Sequence, residues 1–486
     1  MDVRGPLLRA TALALLVCLA AEPALACDGA YFTYALTPQT SSKLDPREFR
    51  ALRMGPASGE VLPAGTPLSI VADVNCLATG ARRAWSGQVG KVSSGSALRS
   101  FRYELERATG FSELSRELEQ DPCVELVSPD HSVRVEASSD PYSSRQGHLK
   151  SIGFARAWPK FLLPILTRPK ITIAIIDTGI DLTHPDLAWN RWLNPLEIAN
   201  GLDDDGDGYA DDLDGYNFAE RTGASGPTGR FTDRHHGTHV AGLAASRWDN
   251  ETGGTGVNGI AKLMSLNVFT GDGASSTAII ENALRYAADH GADVINVSLG
   301  TSDPSRSMRV ALEYAVSRGS LVVVAAGNAG KELCGEPFDT GFNSPASYSG
   351  IDGVIAVGSY DAATGAPSFF SNYSASLVEI SAPGSHLSSR RPMKGLLSTL
   401  PGGRYAELSG TSMASPIVAG AASLAATWLK AYGYESTPGR LERILTESAV
   451  QDPQFFGRVR DSRRLDLRAL AGYLERHYPE RALGAL

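Results

Sequence analysis

The sequence predicts an α/β fold in which a doubly wound, mostly parallel sheet follows a small α+β domain. Short apolar runs rich in β-branched residues recur from residue 170 onward, and each reads as buried on both faces, as strands of a parallel sheet do. Segments with helical apolar spacing lie between these runs. The first 140 residues lack this alternation and carry short segments of alternating polarity, such as residues 132–135, and one predicted helix over residues 112–120.

The predicted strands and helices follow one another in the βαβ order that places helices on both faces of one sheet. Two predicted helices each end at a glycine, Gly291 and Gly319. In this architecture ligands bind outside the carboxyl ends of the strands. The predicted strands are residues 171–176, 263–269, 294–299, 321–326 and 354–357, and the two helices are residues 275–290 and 305–318.

The N-terminus has the pattern of a secretory signal peptide spanning residues 1–26. Arg4 and Arg9 precede an apolar run over residues 10–21, and a small-residue cleavage site ends at Ala26. The run is shorter than the ~20 residues that span a bilayer, and no later segment is long enough, so no transmembrane segment is expected. The pattern therefore predicts export of the mature protein. Because Cys27 directly follows the cleavage site, a lipidated N-terminus is the alternative to an unmodified one.

Composition and charge narrow the class of protein. The 486 residues carry 43% apolar side chains, enough for a large core, and a net charge of −8. Seven of the acidic residues fall between Asp203 and Asp214, so the imbalance is mostly local. No Lys/Arg-rich run indicates a nucleic-acid partner. A polar stretch over residues 138–144 divides the chain into domains of residues 27–140 and 141–486.

Four cysteines remain once Cys18 leaves with the signal peptide. In an oxidising compartment they pair in three possible ways, and sequence does not choose among them. A Cys76–Cys123 bridge within the N-terminal region is favoured, and free buried thiols are the alternative. The other two cysteines are Cys27 and Cys334.

Four side chains point to acyl-transfer chemistry at the carboxyl edge of the sheet. Hydrolysis by a serine needs a hydroxyl, a base that takes its proton, and a carboxylate that orients the base. Asp177 follows the first predicted strand, His236 opens a small-residue helix, and Ser412 precedes a long Ala-rich helix. Asn328 ends another buried strand, where its amide could stabilise an oxyanion.

Each of these residues has a simpler interpretation when taken alone. Asp177 and Asn328 could be ordinary turn residues, and Ser412 could cap its helix. His236 and His239 lie three residues apart and could share a metal, although a third ligand at suitable spacing is missing. A buried structural role for His239 is the better interpretation.

Four motifs together closely resemble those of the subtilisin-like serine proteases. They are residues 177–181 (DTGID), 236–242 (HGTHVAG), 325–328 (AAGN) and 410–416 (GTSMASP), in the family's Asp, His, Ser order. The resemblance spans roughly residues 142–473. Ile417 stands where the family often has His, and Lys262 where it often has Pro.

The resemblance assigns the chemistry of a serine endopeptidase to these residues. It implies that Ser412 is the nucleophile, His236 the base and then the acid, and Asp177 its orienting partner. Asn328 and the Ser412 N–H would form the oxyanion hole. The resemblance also implies that protein or peptide substrates add as a strand along Ser298, Leu299 and Gly300. Pocket walls near Leu299, Gly327 and residues 341–345 would set the preference for substrate.

An acidic run over residues 203–214 has the oxygen spacing of a calcium loop. Carboxylates packed this closely would repel one another without a cation, and a solvated acidic loop is the alternative. The last position is Asp where the EF-hand has Glu, and no two long helices flank the run. The predicted structural Ca²⁺ ligands are the carboxylates of Asp203, Asp205, Asp207, Asp211 and Asp214 and the carbonyl of Tyr209.

Residues 27–140 weakly resemble the inhibitory pro-region of the same family, chiefly over residues 121–130 (DPCVELVSPD). This resemblance implies a domain that assists folding, inhibits the enzyme by occupying its groove, and is removed by self-cleavage. A permanently attached domain with another role is the alternative. Two other hypotheses remain: a calcium-stabilised scaffold with a protease fold and little turnover, and an enzyme that cuts only its own pro-region and then stays inhibited.

Overall fold

The computed structural model describes residues 61–62, 67–73, 98–104, 109–110, 124–129, 139–166, 171–230, 233–337, 339–388 and 391–480. The chain forms two compact units, Met1–Arg134 and Val135–Leu486. The expected signal peptide, the helix predicted over residues 112–120, the alternating segment 132–135 and the proposed Cys76–Cys123 bridge lie outside the described residues. Among the described cysteines, Cys334 is a free thiol.

The described part of the first unit consists of antiparallel strands. Strand β2 is central in a three-stranded sheet of order β3-β2-β5 and pairs antiparallel with both neighbours, while β1 pairs with β4. The strands are β1 Val61–Leu62, β2 Pro67–Asp73, β3 Leu98–Glu104, β4 Thr109–Gly110 and β5 Val124–Pro129.

The second unit is built on one large sheet. The order β7-β8-β6-β9-β10-β11-β12 is parallel throughout, β17 continues it in parallel, and β16 and β13 are attached antiparallel. β14 and β15 form a separate hairpin. The strands are β6 Thr172–Asp177, β7 Gly215–Asn217, β8 Lys262–Asn267, β9 Val294–Val297, β10 Leu321–Ala325, β11 Val354–Asp361, β12 Ile380–Ser388, β13 Arg391–Lys394, β14 Leu396–Leu400, β15 Arg404–Leu408, β16 Val450–Gln451 and β17 Arg463–Arg464.

Eight α-helices are described in this unit. They are α1 Gly147–Ser151, α2 Phe154–Leu166, α3 His236–Ala245, α4 Thr277–Asp289, α5 Arg306–Ser317, α6 Thr411–Ala431, α7 Pro438–Ser448 and α8 Leu467–His477. The two helices predicted between strands are α4 and α5, each within two residues of its expected ends. Serine side chains cap both helices: Ser276 accepts from the N–H of Ile279, and Ser305 from that of Met308.

Alternate residues of each strand supply two separate cores, one on each face of the sheet. In β6, Ile173 and Ile175 pack with α3 and α6, while Ala174 and Ile176 pack with α4 and α5. All six residues of β6 are buried. Burial on both faces explains why these strands read as continuous apolar runs. The predicted doubly wound, mostly parallel fold is confirmed for this unit.

One described helix, α6, is long and apolar enough to cross a membrane by length and composition, so the expectation that no later segment is long enough was wrong. It is 94% buried inside the protein, as a core helix is, so it is weak evidence for a span. The helix packs along the sheet against β9, β10, β11 and β12.

Candidate active site

The four predicted catalytic side chains lie on four elements that meet at the carboxyl edge of the parallel sheet. Asp177 is the last residue of β6, and Asn328 follows β10. His236 is the first residue of α3, and Ser412 is the second residue of α6. Strand ends and helix starts therefore converge where the doubly wound fold places its ligands.

Asp177 and His236 form a charge-assisted hydrogen bond. His236 Nδ1 lies 2.9 Å from both carboxylate oxygens of Asp177. The Asp177 side chain is 2% exposed and that of His236 is 23% exposed. Because the carboxylate accepts from Nδ1–H, the imidazole is held in the tautomer that leaves Nε2 free to take a proton.

The backbone around this pair allows a close approach. Thr178 donates its backbone N–H to Asp177 Oδ1 at 2.7 Å, and the N–H of Gly237 donates to Thr178 Oγ1 at 2.9 Å. A Cβ on Gly237 would lie 2.5 Å from the carbonyl oxygen of Gly179. Only glycine therefore fits at the second position of α3, and the motif's glycine serves to bring His236 against Asp177.

The two histidines of α3 have opposite environments. Burial works to lower the pKa of His236, but the charge and hydrogen bond of Asp177 outweigh it, and the pKa is raised above 6.5. Burial, with a smaller effect of the nearby His236, lowers the pKa of His239 to about 3. His239 Nε2 donates to the carbonyl oxygens of Leu396 and Ala406 at 3.0 and 3.1 Å. These contacts are those of a neutral structural histidine, and no metal-binding group among the described residues contains the pair.

Ser412 and Asn328 present two N–H donors beside Gly410. The side-chain oxygen Oδ1 of Asn328 accepts from the N–H and the hydroxyl of Thr411 at 2.8 and 3.0 Å, which leaves Nδ2 of the same amide to donate elsewhere. A Cβ on Gly410 would lie 3.4 Å from Asn328 Nδ2 and 3.6 Å from the backbone N of Ser412. The Ser412 N–H is one of the free donors of the first turn of α6. The two donors thus border one small space.

The predicted pocket walls come together next to this space. Thr301 pairs antiparallel with Ser344, with hydrogen bonds of 2.7 and 2.9 Å, so the segment that follows β9 meets the segment that contains Asn343. A Cβ on Gly300 would lie 3.1 Å from Asn343 Nδ2, and one on Gly327 would lie 3.0 Å from the same atom. Asn343, which the sequence did not single out, therefore lies between the two glycines.

The chain matches a known protein family over most of its second unit. The profile of the subtilase family, Peptidase_S8, matches residues 168–472, which is more than half of the chain. The chain belongs to the subtilase family. By family it is a serine-type endopeptidase.

Similar proteins of known name agree with this assignment. Thermitase of Thermoactinomyces vulgaris is 37% identical over 290 residues, covering 60% of this chain and 85% of thermitase. The thermophilic serine proteinase of Bacillus sp. (strain AK1) is 38% identical over 255 residues, and the chain covers about half of it, 52% of each. The major intracellular serine protease of Bacillus subtilis (strain 168) is 35% identical over 281 residues, 58% of this chain and 73% of that protein.

A solved structure shows the same fold. A protease of Pseudoalteromonas arctica superposes with a TM-score of 0.51 at 24% identity, covering 69% of this chain and 99% of that one. This likeness supports the subtilase architecture described above and no further property.

The acidic loop of this subtilase gathers part of the predicted calcium set and adds two residues. Asp203 and Asp205 lie with Glu197, and Asp205 and Asp207 lie with His290; within each group one ligand atom per residue lies within 4.8 Å of the others. Glu197 is buried and accepts backbone N–H groups of the loop at 2.6 to 3.2 Å. Sequence spacing missed both additions because Glu197 precedes the run and His290 follows α4.

The other three predicted ligands have different surroundings. Asp211 Oδ1 accepts from the N–H groups of residues 200 and 201 at 2.8 and 2.9 Å. Asp214 pairs with Arg191 at 2.7 Å and accepts from the Ser225 hydroxyl. The Tyr209 ring packs among Tyr216, Phe218 and Tyr286. Neither Asp211 nor Asp214 belongs to either group of carboxylate and imidazole ligands, and the Tyr209 carbonyl stays a prediction.

Two buried carboxylates that the sequence did not single out organise the loop after α3. Asp140 accepts from the N–H groups of Asp249 and Asn250 at 3.1 and 2.9 Å. Asp186 accepts from the Asn250 side chain and the Gly254 N–H, both at 3.0 Å. Both carboxylates are at most 1% exposed. Their burial carried no sequence signal, because each stands in a polar segment.

Proposed function

We propose that this subtilase is a secreted serine endopeptidase, made as a self-processing zymogen, that cleaves protein or peptide substrates through an acyl-enzyme. The observation that carries the proposal is the buried Asp177 carboxylate, both oxygens of which lie 2.9 Å from His236 Nδ1, at the edge of the sheet where Ser412 lies in the first turn of α6. A scaffold without turnover would have no need of this pairing. The family assignment supports the same conclusion.

In the proposed reaction each residue has one role. His236 takes the proton of the Ser412 hydroxyl as the oxygen attacks the scissile carbonyl, and Asp177 stabilises the imidazolium that forms. His236 then gives the proton to the leaving amine. Water repeats the sequence on the acyl-enzyme and frees the carboxylate product.

The oxyanion formed in each step is proposed to bind between Asn328 Nδ2 and the Ser412 N–H. Both donors border the same space beside Gly410, and both are held by contacts that do not involve substrate. Fixed donors of this kind stabilise charge in the transition state without reorganisation. The substrate backbone is proposed to lie along Ser298, Leu299 and Gly300, with one side chain entering the space near Asn343.

We propose a structural Ca²⁺ ion at the acidic loop. Asp203 and Asp205 with Glu197, and Asp207 beside them, supply the carboxylate oxygens that Ca²⁺ prefers. Among the described residues, no Lys or Arg side chain pairs with Asp203, Asp205 or Asp207. Burial first, and then the neighbouring carboxylates of Asp212 and Asp205, raises the pKa of Asp207 to about 6, so a bound cation would favour the ionised carboxylate. The ion would neutralise this charge and fix the loop.

Secretion and zymogen processing are proposed from the first part of the chain. The signal-peptide pattern over residues 1–26 indicates export, and the division into a smaller and a larger compact unit is what a pro-domain of residues 27–140 ahead of a catalytic domain of residues 141–486 requires. Family membership alone does not decide location, since one relative is named an intracellular protease.

The test uses residues 27–486 expressed with calcium, beside the same chain carrying Ser412→Ala. Intact mass and cleavage of an unfolded protein substrate are followed for both. We expect the wild type to lose about the first 115 residues and to cleave the substrate, while the variant does neither. A wild type as inert and as long-lived as the variant would support the scaffold hypothesis. Self-cleavage without substrate cleavage would support the permanently inhibited enzyme.

A further inference from the structure

The helix that carries Ser412 contains a proline at an informative position. Pro416 lies four residues after Ser412 within α6 and has no N–H. The carbonyl of Ser412 therefore lacks the donor that the next turn of an α-helix normally supplies. The hydroxyl of Ser298 donates to this carbonyl at 3.0 Å from beyond the end of β9. A side chain 114 residues away thus takes the place of the missing helical hydrogen bond.

A second hydrogen bond runs in the opposite direction between the same two residues. The Ser412 hydroxyl donates to the carbonyl oxygen of Ser298 at 3.1 Å. The main chain and the side chain of Ser412 are therefore both attached to one residue of the neighbouring strand. Ser298 is 4% exposed, so the contact is shielded from water.

Asn296 links Ser298 to a second residue of α6 through hydrogen bonds of its side-chain amide. It is a fully buried amide in the otherwise apolar strand β9. Its Nδ2 donates to Ser298 Oγ at 2.9 Å, and its Oδ1 accepts from the Ser415 hydroxyl at 2.7 Å. Ser415 lies three residues after Ser412, on the first turns of α6. The bonds form a closed ring from Asn296 through Ser298 and Ser412 along the helix to Ser415 and back.

We propose that Ser298, Asn296 and Ser415 are positioning residues for Ser412, and that Pro416 makes the arrangement possible by freeing the Ser412 carbonyl. The inference rests on the proposed function, because it concerns the nucleophile of that reaction. None of the three side chains touches the reacting bond through its own chemistry. They act by fixing where the Ser412 oxygen lies relative to His236 and to the oxyanion donors.

The expected effect is on the chemical step. A displacement of about 1 Å in a reacting group can cost about 10²-fold in rate. We therefore expect Ser298→Ala to lower kcat by about 10- to 100-fold and to change KM by less than about threefold. The pH midpoint of kcat/KM should not move, because the hydrogen bonds between Asp177 and His236 remain.

The experiment compares Ser298→Ala, Ser415→Ala and Ser298→Ala/Pro416→Ala with the wild type, each matured by added wild-type enzyme that is then removed. Ser320→Ala is the matched control, since the Ser320 hydroxyl also donates to a backbone carbonyl, at 2.6 Å, but at the opposite edge of the sheet. Three quantities are measured: kcat and KM on a peptide amide, the melting temperature, and the rate of labelling by a fluorophosphonate. Labelling forms a bond between the Ser412 oxygen and phosphorus, expels fluoride and passes the hydroxyl proton to His236, so it reports attack by Ser412 without the later hydrolysis of an acyl-enzyme.

The double variant separates positioning from simple hydrogen-bond satisfaction. Alanine at 416 restores an N–H that can donate to the Ser412 carbonyl within the helix. We expect it to recover the melting temperature lost in Ser298→Ala but neither kcat nor the labelling rate. Ser415→Ala should lower kcat by about three- to tenfold, a smaller step in the same direction.

Two results would overturn the inference. One is a Ser298→Ala enzyme whose kcat and labelling rate lie within twofold of those of the wild type and of Ser320→Ala. The other is recovery of activity together with stability in the double variant, which would make the role of Ser298 purely structural. A wild type that neither labels nor cleaves would instead contradict the proposed function.

Discussion

Replacing Asp177 by asparagine tests the catalytic proposal most directly. The change removes one buried negative charge and keeps the shape of the side chain. A carboxylate and an imidazolium whose charges lie about 4 Å apart attract by about 4 kcal/mol at an effective dielectric constant of about 20, which is about 10³-fold in rate. The amide also stops holding the imidazole in the productive tautomer, and together these effects reach about 10⁴-fold, as found for the equivalent change in other serine proteases.

The same variant has a predicted pH signature. The carboxylate holds the pKa of His236 above 6.5, and a general base works only when neutral. In the wild type, kcat/KM should therefore rise with pH through a midpoint above 6.5. Without the charge of Asp177, burial of the ring dominates, so the midpoint of Asp177→Asn should fall below 6.5.

The assay is hydrolysis of a peptide amide between pH 5 and 10 by enzyme matured with added wild type, which is then removed. Ser412→Ala carried through the same steps sets the background. Asp181→Asn is the matched control: it removes a carboxylate from the same loop, one that accepts from Thr183 and Gly402, and should keep kcat/KM within about threefold. An Asp177→Asn enzyme within tenfold of the wild type, or one with an unshifted midpoint, would refute the assigned roles.

Three further predictions concern the oxyanion, the metal and a buried acid. Asn328→Leu should lower kcat by about 10² to 10³ with little change in KM, measured by steady-state kinetics; a proportionate rise in KM instead would place Asn328 in substrate binding. Chelation of calcium should lower the melting temperature of the Ser412→Ala protein by about 5 °C, and Asp203→Asn/Asp205→Asn should abolish that dependence; equal shifts in both proteins would contradict the site. Burial raises the pKa of Glu379 to about 8, so its contribution to stability is greatest below pH 4.5 and is lost as pH rises through 8. The free energy of unfolding of Glu379→Gln, measured in urea, should therefore rise relative to that of the wild type by up to about 4 kcal/mol between pH 5 and 8. A difference between the two proteins that does not change with pH would refute this.

The strands buried on both faces were predictable because burial requires apolar residues at nearly every position, which leaves a continuous apolar run in the sequence. The predicted segment 294–299 contains β9, and 321–326 contains β10 with one extra residue. β11 was predicted to end at Val357 but continues to Asp361. Its last part contains Ser359, whose burial is tolerated because its N–H donates to the Ser371 hydroxyl and its own hydroxyl bonds that of Ser368. A polar residue satisfied by distant partners carries no periodic signal.

Other elements were missed for reasons of the same kind. β12 contains a proline and a glycine, which read as a turn, yet it pairs in parallel with β11 across a register shift. The hairpin β14–β15 closes through Pro401, Gly402 and Gly403, and its pairing depends on contacts with α3 that lie far away in sequence. Strand pairing between distant segments is a property of the folded chain, and a single sequence does not state it.

The residues of the candidate site likewise fall into those that local sequence marks and those that only the folded chain brings together. Residues of the four motifs could be found because each occupies a strand end or a helix start, which local sequence marks. Glu197 and His290 could not, since they join the acidic loop only after β7 and α4 have folded against it. Whether Asp211 or Asp214 faces an ion was likewise beyond a spacing rule, because Arg191 and the N–H groups of residues 200 and 201 compete for their oxygens.

The serine motif itself shows how much information seven residues hold once the structure is known. Thr411 accepts from the N–H of Gly327 and donates to Asn328 Oδ1, so one side chain attaches the first turn of α6 to the segment that follows β10. On the other side, Ser415 donates to Asn296, and the Ser298 hydroxyl replaces the helical hydrogen bond that Pro416 removes. The helix start is therefore attached to two neighbouring strands, β9 and β10, through residues on either side of Ser412. If Ser412 is the nucleophile, as proposed, these contacts give a physical reason why the motif extends beyond it: Thr411, Ser415 and Pro416 all contribute to the position of its oxygen atom.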